Sequence, residues 1–225
     1  MLLHTVIVPP SHILEPVAEV MRAAVLDATP EELSPRRGFL RRGAGRGNVT
    51  PGRSDQAGTS SAPEQLLLLP STAMSLPIAG FGNVTSADAI RLGDALQTAA
   101  AGTPGATVRL AGGTALEFTD DRNVWARLAG DVDGLRSMAR EVTQVVEQHG
   151  FFVDRRKFRP MMCVGTVTAA TTAPFLESVV AALEEFSGES WDVDQVCLLK
   201  AFYGNHSTGF EVVDQFPLAP VAVSS

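Results

Sequence analysis

Phe158-Arg159-Pro160-Met161-Met162-Cys163-Val164-Gly165-Thr166-Val167 reads as a buried strand entered through a basic, proline-stiffened turn. Alternation along an extended chain puts Met161 and Cys163 on one face, with Met162 and Val164 on the other. A second stretch, Ala73-Met74-Ser75-Leu76-Pro77-Ile78-Ala79-Gly80, looks like its counterpart in the first half. A matched strand in each half points to a fold built twice.

The surrounding chain supports a doubled plan. In the first half, residues 2–8 are branched and loosely alternating, as a strand requires. Pro9-Pro10 turns the chain, and Ser11 is a candidate cap for a helix carrying Ile13, Val17, Val20, Met21, Ala24 and Val25, which fades near Thr29-Pro30. Pro16 is expected to delay its start. Residues 65–69 and 74–78 read as strands around Pro70-Ser71-Thr72, and Gly80-Phe81-Gly82-Asn83-Val84 as a turn. Thr85 or Ser86 then caps a helix bearing Ala89, Ile90, Leu92, Leu96 and Ala99. Two short strands, 108–110 and 115–118, are expected on either side of Gly112-Gly113. Asp120-Asp121-Arg122-Asn123 is a turn before a strand at 124–128.

The second half repeats the order. Leu135, Met138, Val142, Val145 and Val146 mark a helix that Gly150 ends. The basic turn Arg155-Arg156-Lys157 and the strand from Met161 lead to a helix at about 173–186. A strand at 196–200, a turn at Gly204-Asn205-His206 and a closing strand at 209–216 follow, with a frayed tail at 220–225. Links this short favour antiparallel pairing over a doubly wound parallel sheet, which needs a helix in nearly every crossover. The expected class is α+β.

Composition bounds the function. With 225 residues, 45% of them hydrophobic, the chain can bury a full core. No apolar run approaches the length of a membrane span, and the opening residues lack the basic region and cleavage site of a secretory leader. Cys163 and Cys197 are too few for a disulfide framework or a zinc site, so no metal is expected and the cytoplasm is the expected compartment.

Charge is uneven. The net charge is −7, yet segment 34–63 holds Arg36, Arg37, Arg41, Arg42, Arg46 and Arg53 against Asp55 alone, a net of +5. The remainder holds 12 basic and 24 acidic residues, a net of −12. Rich in Gly, Arg, Ser and Thr and without apolar periodicity, segment 34–63 is expected to be a disordered insert. It could find an acidic partner. The acidic body is a poor general phosphate-binding surface.

At the two tetrads Ala73-Met74-Ser75-Leu76 and Met161-Met162-Cys163-Val164, the chain resembles the two-histidine phosphoesterase superfamily. That group includes the 2′-5′ RNA ligase-like proteins and RNA 2′,3′-cyclic phosphodiesterases. Val8-Pro9-Pro10, residues 75–84, Phe158-Arg159-Pro160 and Leu198-Leu199-Lys200 add to the likeness, which covers nearly everything outside the insert. The resemblance implies one domain of two pseudo-symmetric lobes around a central cleft, each lobe contributing a His-x-Thr/Ser motif. One imidazole removes a proton, the other protonates the leaving oxygen, and the hydroxyls hold the phosphate.

Carried over by position, the histidines become Ala73 and Met161, and the hydroxyls become Ser75 and Cys163. Neither Ala73 nor Met161 can move a proton. The resemblance therefore implies a scaffold without the family's acid–base pair, no cofactor, and no catalytic residues. A nucleotide, RNA end or other small ligand would be held by Ser75, Arg159 and Cys163. Gly80-Phe81-Gly82-Asn83 fits no phosphate-loop spacing. Two alternatives stay open: an active phosphodiesterase of altered mechanism using His4, His206 or Cys163, and an interaction scaffold that works through segment 34–63.

Overall fold

The computed structural model describes residues 1–28, 64–153, 158–203 and 208–221. Segment 34–63, the basic turn Arg155-Arg156-Lys157, His206 and the tail beyond 221 lie outside the described residues.

Two antiparallel sheets and four helices make up the fold of the described residues. The first sheet orders its strands β3 (Leu76–Asn83), β1 (Leu2–Ile7), β8 (Gln195–Tyr203) and β9 (Thr208–Pro217). The second orders β2 (Leu66–Leu68), β6 (Met161–Val167), β5 (Asn123–Gly130), β4 (Ala106–Ala115) and β7 (Ser187–Val193). The α+β expectation with two sheet lobes is met.

Helices α2 (Ser86–Gly102) and α3 (Val132–Gln148) pack on each other, with α2 against β9 and β8 and α3 against β3 and β4. Helices α1 (Ser11–Ala28) and α4 (Ala173–Glu184) form the other pair, with α4 on β4. Helix α1 follows β1 in the chain yet lies against β7 and β2 of the second sheet. This crossover ties the two sheets together. One buried cluster runs from Leu3, Leu76 and Leu96 to Leu110, Val164 and Leu183, so their apolar faces share a core.

Local chemistry explains the element ends. The Thr85 hydroxyl accepts from the Asp88 amide at 3.1 Å and caps α2. Asp131 does the same for α3 through the Gly134 amide at 2.9 Å. Pro16 does not delay α1, which starts at Ser11 with the proline inside it. Pro16 is exposed, in the second turn, where its missing N–H leaves only the His12 carbonyl without a helical partner.

Three expectations are corrected. The glycines at 80 and 82 do not end β3, which pairs with β1 as far as Leu2↔Asn83. The second is at Gly112-Gly113, where β4 is one strand. Its register passes from Leu110↔Leu128 to Gly113↔Ala126, so one extra residue is absorbed as a bulge, with Gly112 at φ +75°. The third concerns Ala73, which closes a 3-10 turn spanning Ser71–Ala73, its amide donating to the Pro70 carbonyl at 2.9 Å. β3 begins only at Leu76, so Ala73 and Ser75 stand before the strand and not within it. β3 therefore starts two residues later than the strand expected at 74–78.

Candidate functional site

The strands that carry the two tetrads come from different sheets, and β3 and β6 approach each other where the sheets meet. On β6, Met162 and Val164 are fully buried, while Met161, Cys163 and Thr166 are partly exposed. β5 lies alongside with Arg127 opposite Met161, Trp125 opposite Cys163 and Asn123 opposite Thr166. The tetrad face of β6 is thus extended sideways by a cation, an indole and an amide. The Thr166 hydroxyl donates to Asn123 Oδ1 at 3.0 Å, locking one end of this pair. Arg127 is drawn to Glu184 at 3.2 Å, an exposed ion pair worth little to stability.

The β4–β5 connection is organised by Asp121. Its Oδ1 accepts from the backbone amide and the side-chain amide of Asn123, both at 3.1 Å. Its Oδ2 accepts from the Glu117 amide at 3.1 Å and from the Trp125 indole at 2.7 Å. Within that loop Phe118 meets Trp125 edge to face, centroids 6.2 Å apart. Arg159, just before β6, lays its guanidinium over the Phe118 ring, 3.1 Å from the centroid. Among the described residues, Arg159 has no carboxylate partner.

Cys163 is a neutral thiol. Burial pushes it up to about 11, and the nearby Asp121 charge pushes in the same direction against the Gly165 backbone contact. Its Sγ–H donates to the Gly165 carbonyl at 3.5 Å. A thiol in that state is a poor nucleophile at neutral pH. Cys197, opposite Val6 on β1, is buried, and burial raises its thiol too.

In the first half, Ala73 and Ser75 are both partly exposed, flanking the buried Met74. The Ser75 hydroxyl has no hydrogen-bond partner among the described residues. The two tetrads differ in setting: one lies in a loop that enters a sheet edge, the other in a strand between two neighbours.

The described histidines lie away from these positions. His12 is exposed in the first turn of α1. His149 follows α3, its Nδ1 2.8 Å from the Val145 carbonyl oxygen. His4, on β1, is half-buried against Gly80, where a side-chain carbon would come within 3.2 Å of its Nδ1. Burial lowers its pKa, so the ring is neutral at pH 7. His4 pairs with Gly80, five residues beyond Ser75, which separates the two by roughly 15 Å of extended chain. Among the described residues no group of three or more His, Cys, Asp or Glu side chains could hold a metal ion, and no helix is long and apolar enough to cross a membrane.

Sequence reasoning singled out Arg159 but passed over Phe118, Asp121 and Trp125. Asp121 was legible as a turn residue, and its Asx geometry could have been anticipated from Asp followed two residues later by Asn. The stacking of residues 118 and 159 depends on the β5–β6 ladder and has no signature in the sequence.

No protein-family model and no curated protein matches the sequence. Solved structures do. The Thermus thermophilus protein TT0787 superposes with a TM-score of 0.54 at 15% identity, covering 97% of this chain and 98% of its own. E. coli LigT in its apo form gives a TM-score of 0.60 at 15% identity, with 96% of each chain covered. The same protein complexed with 3′-AMP gives 0.59 at 15% identity, covering 96% of this chain and 97% of LigT. At such identities the likeness is one of fold, and it extends over nearly the whole of both chains.

Proposed function

We propose that this chain, which has the LigT-like phosphoesterase fold, binds a nucleotide or RNA end without turning it over. The observation that carries this reading is Met161. It occupies the tetrad face of β6 at the position where the resemblance implies an imidazole, and Ala73 occupies the other. A thioether and a methyl group neither accept nor deliver a proton at neutral pH, so both halves of acid–base catalysis are missing.

Ligand-binding chemistry persists. Ser75 offers a hydroxyl and Arg159 a cation beside β6, neither of them engaged by a carboxylate among the described residues. E. coli LigT has been solved with 3′-AMP, NADP+ and ATP, which supports a nucleotide as the ligand class here. Cys163 offers a neutral thiol that can border a ligand without attacking it. The two cysteines, both free, suit a reducing compartment such as the cytoplasm. The +5 segment 34–63 supplies charge for an acidic partner.

Calorimetric titration with 3′-AMP tests the binding half. Arg159→Ala should weaken it about 10- to 100-fold, as expected for a lost charged hydrogen bond. Equal affinity in wild type and Arg159→Ala would refute the assignment. His4 gives little support to an active enzyme, since the β1–β3 register sets it far from Ser75.

A further inference from the structure

The β4–β5 hairpin is more elaborate than a link between strands requires. Two of its non-glycine residues, Leu116 at φ +53° and Asp120 at φ +61°, sit in the left-handed region, which an aspartate visits readily but a leucine holds only where the surroundings impose it. Leu116 is about half exposed, so burial of its side chain does not by itself impose this conformation. The loop is restrained by the Leu116 amide, which donates to the Asn123 carbonyl at 3.1 Å, and by Asp121, whose two oxygens accept from four N–H groups on Glu117, Asn123 and Trp125. The hairpin is also tied to β6: the Val167 amide donates to the Arg122 carbonyl at 2.8 Å, and Thr166 bonds Asn123.

The product of this arrangement is a fixed place for Phe118. Trp125 supports the ring from its edge, and Arg159 covers its face. The backbone of Arg159 is held as well, because its carbonyl accepts from the Met161 amide at 2.8 Å and the Pro160 carbonyl from the Leu128 amide at 3.1 Å.

We propose that Phe118 and Asp121 are positioning residues for Arg159. The hairpin holds the guanidinium flat beside the start of β6, with its N–H groups free to meet an oxyanion. An arginine in solution gives up rotamer freedom when it binds a ligand, and this one has given it up on folding. A stacked guanidinium also keeps its in-plane donors available, because the ring contacts only its face. The proposal rests on Arg159 meeting the anion of a nucleotide, and it deepens that reading by naming what orients the cation.

Two readouts test it on the full chain, using Phe118→Leu, Phe118→Tyr, Arg159→Ala and the double variant. In titrations with 3′-AMP, Phe118→Leu should weaken binding about 2- to 5-fold and Phe118→Tyr should restore it. In the Arg159→Ala background the same Phe118→Leu change should cost nothing further. A purely structural role for Phe118 would give the same loss in both backgrounds, and that result overturns the proposal. The second readout needs no ligand: the rate at which phenylglyoxal modifies Arg159, followed by mass spectrometry of its peptide. Phe118→Leu and Asp121→Asn should each accelerate modification, and Phe118→Tyr should not. If the wild type does not bind 3′-AMP, the functional reading fails and the labelling alone decides the positioning claim. Unchanged labelling in both Phe118→Leu and Asp121→Asn would end it.

Discussion

Trp125 and Cys163 face each other across the β5–β6 ladder, and the indole N–H of Trp125 donates to Asp121 at 2.7 Å. A large ring beside it and a carboxylate close by leave the thiol both desolvated and in a negative field. Each effect favours the protonated form.

That thiol should be slow to react. With its pKa at about 11, Cys163 should react with iodoacetamide at pH 7.5 roughly 10²-fold more slowly than an ordinary cysteine, following its thiolate fraction. Its labelling rate, read from its own peptide, should keep rising to about pH 11. Asp121→Asn should quicken it. A plateau near pH 8.5 would contradict the assignment.

Stability should depend on pH at both ends. Burial lowers the pKa of His4, so the folded chain prefers the neutral ring and the unfolded chain takes up the proton first. Its contribution is present above about pH 6.5 and is lost as the pH falls through the folded value. Cys163 works in the opposite direction: its contribution is whole below about pH 8.5 and is lost as the pH rises towards 11. Melting temperatures between pH 4.5 and 7.5 should show a slope that His4→Gln reduces. Cys163→Ala should reduce the fall above pH 8.5, to which the buried Cys197 also contributes.

Gly113 lies where β4 and α4 touch. A methyl group there would overlap Leu183 Cβ and come within 2.9 Å of its Cδ1, so the two elements can approach this closely only with glycine. Gly113→Ala should destabilise the fold by about 1–3 kcal/mol in urea unfolding. Leu183→Gly, which removes the Cβ the methyl would overlap, should recover part of that loss when combined with it, since the two positions are in contact. Additive losses would show that the close approach is not the cause.

Much of the architecture was legible because strands and helices announce themselves by period. Leu3 and Ile7 on one face of β1 and Leu135, Met138, Val142 and Val146 on α3 are buried as their spacing implies, while Val6 on the other face of β1 joins Cys197 and Leu199. Glycine misleads twice, each time by suggesting a break inside a strand. Gly80 has the look of a turn residue, but its missing side chain makes room for His4 inside a ladder. Gly112 has the look of a break, but it bends one continuous strand.

The candidate site was less legible. Met161, Cys163 and Arg159 stand out because a resemblance supplies their positions, whereas nothing local marks Phe118 and Trp125. Their meeting depends on three strands aligning 114–115, 123–127 and 161–166, which is a property of register and not of composition.

Loss of the Asp121 carboxylate should loosen the hairpin. It leaves four N–H groups to find water in a loop with two left-handed non-glycine residues. Asp121→Ala should cost about 1.5–3 kcal/mol of stability, the range for hydrogen bonds to a charged group. Trp125 fluorescence should shift to the red as its indole loses its partner. A silent substitution would show that the hairpin is held by other contacts.

A retained site without proton-transfer groups is tested most directly by incubation with a 2′,3′-cyclic nucleotide. The expected result is saturable binding with the cyclic phosphate recovered intact, at turnover no higher than a blank without protein. Ring opening above that blank, abolished by Ser75→Ala, would contradict it.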